Sequence, residues 1–164
     1  MISEKMEKAL NDQINAELFS SYLYLSMAAY FEAENWTGFA NWMKIQSNEE
    51  YEHAMKFFHY LKEVSGRVTL AALEKPKTEW NFPLEAFEDA HKHEVYITKR
   101  INDLVELAQL EKDYATNNFL QWFVNEQIEE VASVAQIINK FRIVGDNKVA
   151  LYMLNNELGS RTGS

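Results

Sequence analysis

A chain of 164 residues, 47% of them apolar, is long enough for one compact domain with a buried core, and 5 Gly and 2 Pro are few for a turn-rich sandwich or barrel. The absence of cysteine excludes disulfides, thiolate zinc sites and cysteine nucleophiles, and fits a reducing, cytoplasmic location. A net charge of −9 argues against a nucleic-acid partner, because phosphate binders carry a basic patch, and favours solubility and the attraction of cations. Residues Met1 to Asn11 alternate polar and apolar character, unlike a signal peptide. No apolar run approaches the ~18 residues of a membrane helix, so no membrane partner is expected.

In chain order, the first predicted helix runs from about Ser3, a plausible N-cap with Glu7 in the first turn, to Ala33. The second runs from about Thr37 to Val64 and stops near Gly66. A link from Ser65 to Phe82 follows, containing Gly66 and Pro76. The third helix starts at Pro83, a good first-turn residue, and reaches Lys112. The fourth spans about Ala115 to Val144 and is closed by Gly145; a short fifth, about Asn147 to Leu158, follows the capping signal Asp146-Asn147. Links of a few residues make the first and second helices, and the third and fourth, antiparallel hairpins. The link of ~18 residues can reach ~60 Å, more than the ~42 Å of a ~28-residue helix. It can therefore cross the whole bundle and leave the second and third helices parallel. The expected fold is all-α: one domain over residues 1–164, a four-helix bundle over about 3–144 with one long crossover, and the fifth helix over about 147–158.

Alternating steps of three and four residues mark the core-facing stripe of each helix. The stripes are Leu10, Ile14, Glu17, Ser21, Tyr24, Ala28, Phe31; then Phe39, Met43, Gln46, Glu50, His53, Phe57, Tyr60, Val64. They continue with Phe87, Ala90, Glu94, Ile97, Ile101, Leu104, Ala108, and Leu120, Phe123, Gln127, Glu130, Val134, Ile137, Phe141. Each apolar stripe is interrupted near its middle by a carboxylate: Glu17, Glu50, Glu94 and Glu130. His53 stands one turn from Glu50, and Gln127 one turn before Glu130. Burying an isolated carboxylate costs several kcal/mol, and several together repel and take up protons. No Lys or Arg lies on the stripes, whereas divalent cations would neutralise them, and carboxylates with one imidazole suit iron, manganese or zinc. Off the stripes, Glu126 and Glu129 share a helix face and Glu49 lies beside its seam. His59, His91 and His93 are expected at the surface or an interface, and Trp122 as packing.

The pattern Glu17, Glu50-x-x-His53, Glu94, Gln127-x-x-Glu130 resembles the ferroxidase centre of prokaryotic non-haem ferritins. The resemblance covers essentially the whole chain, including ALNDQINAELFSSYLYLSMAAYF, GFANWM, EEYEHAMKF and NFLQWFVNEQIEE. Di-iron carboxylate bundles of this kind are an established architecture. The resemblance implies one iron at Glu17, Glu50 and His53, and a second at Glu50, Glu94 and Glu130 with Gln127 nearby, Glu50 bridging. It also implies a third iron position toward the inner surface, carried by Glu49, Glu126 and Glu129 with help from Glu130. Tyr24 becomes a redox-active neighbour able to give up an electron.

Two departures narrow the family. Ser133 stands where bacterioferritins and di-iron oxygenases carry a second histidine, so the site has fewer nitrogen ligands and is expected to release oxidised iron more readily. Tyr51 stands where bacterioferritins place a haem-binding methionine, so the resemblance implies no haem. The implied activity is oxidation of Fe(II) by O2 or H2O2 and deposition of ferric oxyhydroxide inside a homo-oligomeric cage of 24 subunits. The fifth helix suits that assembly, since miniature 12-subunit ferritins lack it. The competing expectations are a di-iron peroxidase or oxygenase without storage, a metal-free bundle, and a DNA-protecting miniature ferritin, whose basic tail is absent here.

Overall fold

The structure is a computed structural model that describes residues 1–163; Ser164, the last residue of the expected domain, lies outside the described residues. It contains helices α1 (Glu4–Ala33), α2 (Thr37–Glu63), α3 (Pro83–Leu110), α4 (Tyr114–Val144) and α5 (Lys148–Gly159), with no strand among the described residues. The expected four-helix bundle with a short fifth helix is what forms. The Oγ of Ser3 caps α1 by accepting from the amide of Met6, the carboxylate of Asp113 caps α4 through Thr116, and Asn147 caps α5 through Ala150.

Three helix ends share one geometry. Asn35, Ser65 and Lys112 lie in the left-handed region, at φ 65°, 63° and 57°. The amides that follow them close back on the helix: Trp36 to the carbonyl of Phe31, Gly66 to Leu61 and Asp113 to Ala108, each at 2.8 Å. These Schellman closures satisfy carbonyls that would otherwise lack donors. The stop near Gly66 is thus set by Ser65, which takes the left-handed position itself. Gly66 serves a different need, since a Cβ there would stand 2.6 Å from Cδ2 of Leu61. Gly145, at φ 58°, closes α4.

The crossover is pinned along the outside of α1. Asn11 donates to the carbonyl of Arg67 and accepts from the amide of Thr69; Asn15 donates to the carbonyls of Ala71 and Ala72, and Ser26 to that of Lys77. The segment therefore runs in the direction of α1 and delivers the chain to the far end. There Trp80 and Lys77 both bind Asp89 of α3, whose carboxyl is held low against burial by those two donors. α3 consequently runs antiparallel to α1 and parallel to α2, as Ser20 beside His93 and Gln13 beside Arg100 show.

Apolar residues fill the bundle in two separate blocks. One is built around Phe31, Phe39, Phe87 and Phe141, whose rings lie 5.3–5.7 Å apart in successive pairs. The other surrounds Leu10, Phe57, Ile101 and Phe123, with Phe57 stacked on Phe123 at 4.2 Å. Between them lies the layer carrying the four interrupting glutamates.

α5 packs across the start of α2 with almost no gap. Asn155 accepts from the amide of Phe39 through Oδ1, and a Cβ on Gly38 would fall 1.8 Å from the carbonyl oxygen of Asn155. No side chain fits there. Gly38→Ala is expected to undock α5 and to cost about 2–3 kcal/mol. Thermal melting with limited proteolysis of the C-terminus checks this; an unchanged midpoint and an equally protected α5 would contradict it.

Candidate metal centre

Each of the long helices brings one carboxylate to the polar layer because the heptad-like stripe turns it inward. Glu17, Glu50, Glu94 and Glu130 are 0–6% exposed, as are His53 and Gln127. Mid-helix positions on antiparallel neighbours meet at one height, so the side chains converge. Ligand atoms of Glu17, Glu50 and His53 lie within 4.8 Å of one another, and so do those of Glu50, Glu94 and Glu130. Glu50 belongs to both groups. A third group joins His53, Glu126 and Glu130 within the same limit.

Hydrogen bonds tie the layer together. Three glutamine amides face the carboxylates. Gln13 donates to Glu17 at 2.9 Å, Gln46 donates to Glu130 at 2.6 Å and to Glu50 at 3.1 Å, and Gln127 donates to Glu94 at 3.1 Å. The Tyr24 hydroxyl donates to the other oxygen of Glu94 at 2.5 Å. His53 presents Nδ1 to Glu50 at 3.2 Å and Nε2 toward Glu126 at 3.9 Å. Its ring is wedged edge-on against Trp122 and Phe123. Oε2 of Glu17 is buried and has no hydrogen-bond partner among the described residues. An acceptor without a donor, in a cluster this acidic, fits a cation.

Electrostatics point the same way. Burial is the main cause that raises every carboxyl of the layer, opposed by the donors just described at Glu17, Glu94 and Glu130 but not at Glu50. Glu17 is raised; Glu50 is raised well above the ordinary range, with Glu94 and Glu17 adding repulsion. Glu94 reaches about 7 and Glu130 about 8. Burial also raises Glu126, and pushes the Tyr24 phenol well up with help from Glu94 and Glu50. Near neutral pH the layer thus holds protons that a cation would displace.

Not every sequence-predicted residue falls as expected. Glu126 joins His53 and Glu130, whereas Glu49 is ion-paired with Arg161 at 2.8 Å and Glu129 is exposed; neither enters a ligand group. Both still line the cavity of about 700 Å³ that opens beside Glu126 and Glu130. Ser133 lines it too, so no second histidine approaches from α4. Trp122 does pack, against His53, with the Lys56 ammonium 3.9 Å above its ring. His59 is exposed and His91 half-buried, but His93 is a correction. It is 9% exposed and sits 2.6 Å from Oγ of Ser20, with burial lowering it to about 4, so it is a neutral core histidine. Sequence reasoning also passed over the supporting amides. Gln13 stands one turn before Glu17 and Gln46 one turn before Glu50, a repeated spacing that was the available signal.

The family model described as a ferritin-like domain matches residues 7–144. A bacterial non-heme ferritin of Bacteroides fragilis is 44% identical over 98% of this chain and 100% of its own length; one from Staphylococcus aureus is 40% identical over 99% and 98%. Among solved structures, an open-pore ferritin from Archaeoglobus fulgidus is 56% identical with a TM-score of 0.98, covering 99% of this chain and all of its own. A closed form engineered from the A. fulgidus ferritin is 54% identical with a TM-score of 0.99 and full coverage of both chains. With the family model matching well over half the chain and relatives aligned end to end, this protein belongs to the ferritin family.

Proposed function

We propose that this protein oxidises Fe(II) at the layer of Glu17, Glu50, His53, Glu94 and Glu130, and stores the ferric product as an oxyhydroxide inside a hollow cage of 24 subunits. The observation that carries the reading is the pair of buried ligand groups sharing Glu50. Iron is the substrate. One ferrous ion is held by Glu17, Glu50 and His53, the other by Glu50, Glu94 and Glu130, and each gives one electron to a shared oxidant, O2 or H2O2. The second position has only oxygen donors, which favour the ferric state while leaving it exchangeable. Gln127 and Tyr24 hold Glu94 in place, Gln46 holds Glu50 and Glu130, and Gln13 holds Glu17. Tyr24, in contact with a ligand, is the residue placed to supply a further electron. Glu126, beside His53 and Glu130, starts a third position that leads past Glu49 and Glu129 into the cavity.

Cage assembly is supported by likeness to the open-pore ferritin of A. fulgidus and the closed form engineered from it. No described helix is long and apolar enough to cross a membrane, and the proposed setting is the cytoplasm. Aerobic addition of Fe(II) to the apo-assembly, followed by gel filtration and iron analysis, tests the whole reading. Retention of hundreds of iron atoms per assembly is the expected result. A few per subunit, with turnover of an organic substrate, would point instead to a di-iron peroxidase or oxygenase, and no iron bound would refute both.

A further inference from the structure

The segment after α5 places a cation beside the centre. The Arg161 side chain is fixed by four contacts. Nη2 donates to Oε2 of Glu49 at 2.8 Å and to Oε1 of Gln46 at 3.0 Å, Nη1 donates to the carbonyl of Trp42 at 3.2 Å, and the guanidinium lies 4.4 Å from the centre of the Trp42 ring. The docking of α5 through Gly38 and Asn155, and of the tail through Asn41 on the carbonyls of Gly159 and Arg161, brings it there.

Two consequences follow from the bonding. With Oε1 of Gln46 occupied by a guanidinium, the amide is fixed with Nε2 toward Glu50 and Glu130. Arg161 therefore reaches the ligands through one intervening side chain. Its second bond neutralises Glu49, which lines the same cavity as Glu126, Glu129 and Glu130. A carboxylate engaged by a guanidinium offers less charge to a metal ion.

We infer that Arg161 is a positioning residue and a tethered counter-ion on the cavity side of the centre: it orients Gln46 and keeps Glu49 out of the metal-binding set, so that a cation passing from Glu126 and Glu130 toward the cavity has to displace the guanidinium from Glu49. This rests on the di-iron reading above. Exit is thereby made a competition between a metal ion and a fixed organic cation, and the third position stays weak enough to empty.

Calorimetric titration of the assembled apo-protein with Zn2+, a redox-inert probe, separates the possibilities. The wild type is expected to take up two cations per subunit at the centre and a third more weakly. R161Q, which keeps an amide donor for Trp42 but loses the charge, is expected to tighten the third step roughly tenfold, about the worth of one charge-assisted hydrogen bond. R161K should stay within about twofold of the wild type, and E49Q added to R161Q should return the third step to the wild-type value, since coupled residues do not add. A third step unchanged in R161Q, with assembly and the first two steps intact, would overturn the latch alone. If R161Q does not assemble, E49Q alone decides: with Glu49 held by Arg161 outside the metal-binding set, its loss should leave the third step within about twofold of the wild type, and a weakening of about tenfold overturns the latch. A wild type lacking the two-cation step would sink the di-iron reading and the latch with it.

Discussion

Glu50→Ala is expected to lower the rate of fast Fe(II) oxidation by at least about 100-fold while the assembly keeps its size on gel filtration. Replacing a group that only supports a ligand typically costs about 10–100-fold, and Glu50 is placed to serve two positions at once. Its removal leaves Glu17 with His53 on one side and Glu94 with Glu130 on the other, two protein ligands each and nothing joining them. The assembly should survive, because Glu50 is no keystone of the metal-free fold. Its carboxyl is pushed well above the ordinary range by burial and then by Glu94 and Glu17, so in the empty protein it is a source of repulsion. Glu50→Gln preserves the volume and is the control for packing: it should lose fast oxidation equally and melt no lower than the wild-type apo-protein. Stopped-flow absorbance with sub-stoichiometric iron measures the rate, and a variant that oxidises iron as fast as the wild type would remove Glu50 from the bridging role.

The second large effect concerns pH. The thermal midpoint of the apo-assembly is expected to fall between about pH 6.5 and 8.5, whereas the metal-loaded assembly stays level. Glu94 at about 7 and Glu130 at about 8 lie above the ordinary 4.5 of an unfolded glutamate. Over this interval the folded state binds more protons than the unfolded one, so stability decreases as pH rises. That contribution is complete below about 4.5 and lost as pH climbs through the folded values. His93 acts in the opposite sense, because at about 4 it is lowered from 6.5, and its effect is confined to pH below about 6.5. The interval above that value isolates the carboxyls. A loss of a few kcal/mol per subunit corresponds to roughly 5–10 °C for a chain of this size. A bound divalent cation takes over the role of the protons, so the stabilisation by Zn2+ should grow with pH. A flat or rising midpoint for the apo-protein would show that the layer is not proton-loaded.

The bundle and its layer were legible because both are written at short range. A stripe with steps of three and four places Glu17 and Tyr24 on one face whatever the neighbours are, and the link after α2 was long enough to cross. Residues whose role depends on a remote partner were not legible. His93 lies next to Glu94 in sequence and looks like one more polar residue on an exposed face. Its environment is set by Ser20, 73 positions away, and by the rings of Phe19 and Tyr24. Arg161 follows the fifth helix in a small polar tail, and only the close approach of α5 to Gly38 brings it to Gln46 and Glu49. Ser65 was eclipsed by Gly66, since glycine is the usual left-handed residue, yet the backbone turned one position earlier.

The two aromatic blocks have a consequence for how such a subunit tolerates change. Phe31, Phe39, Phe87 and Phe141 clamp one end of the bundle, and Phe57, Phe119 and Phe123 the other, so the hydrophobic cohesion of the fold resides away from its waist. The middle turns of the helices are carried there by the ends and contribute little grease of their own. Polar side chains at the waist can therefore be exchanged, a nitrogen for an oxygen or an acid for an amide, with the girder on either side left as it was. The polar site and the mechanical strength are written in different storeys of the same molecule.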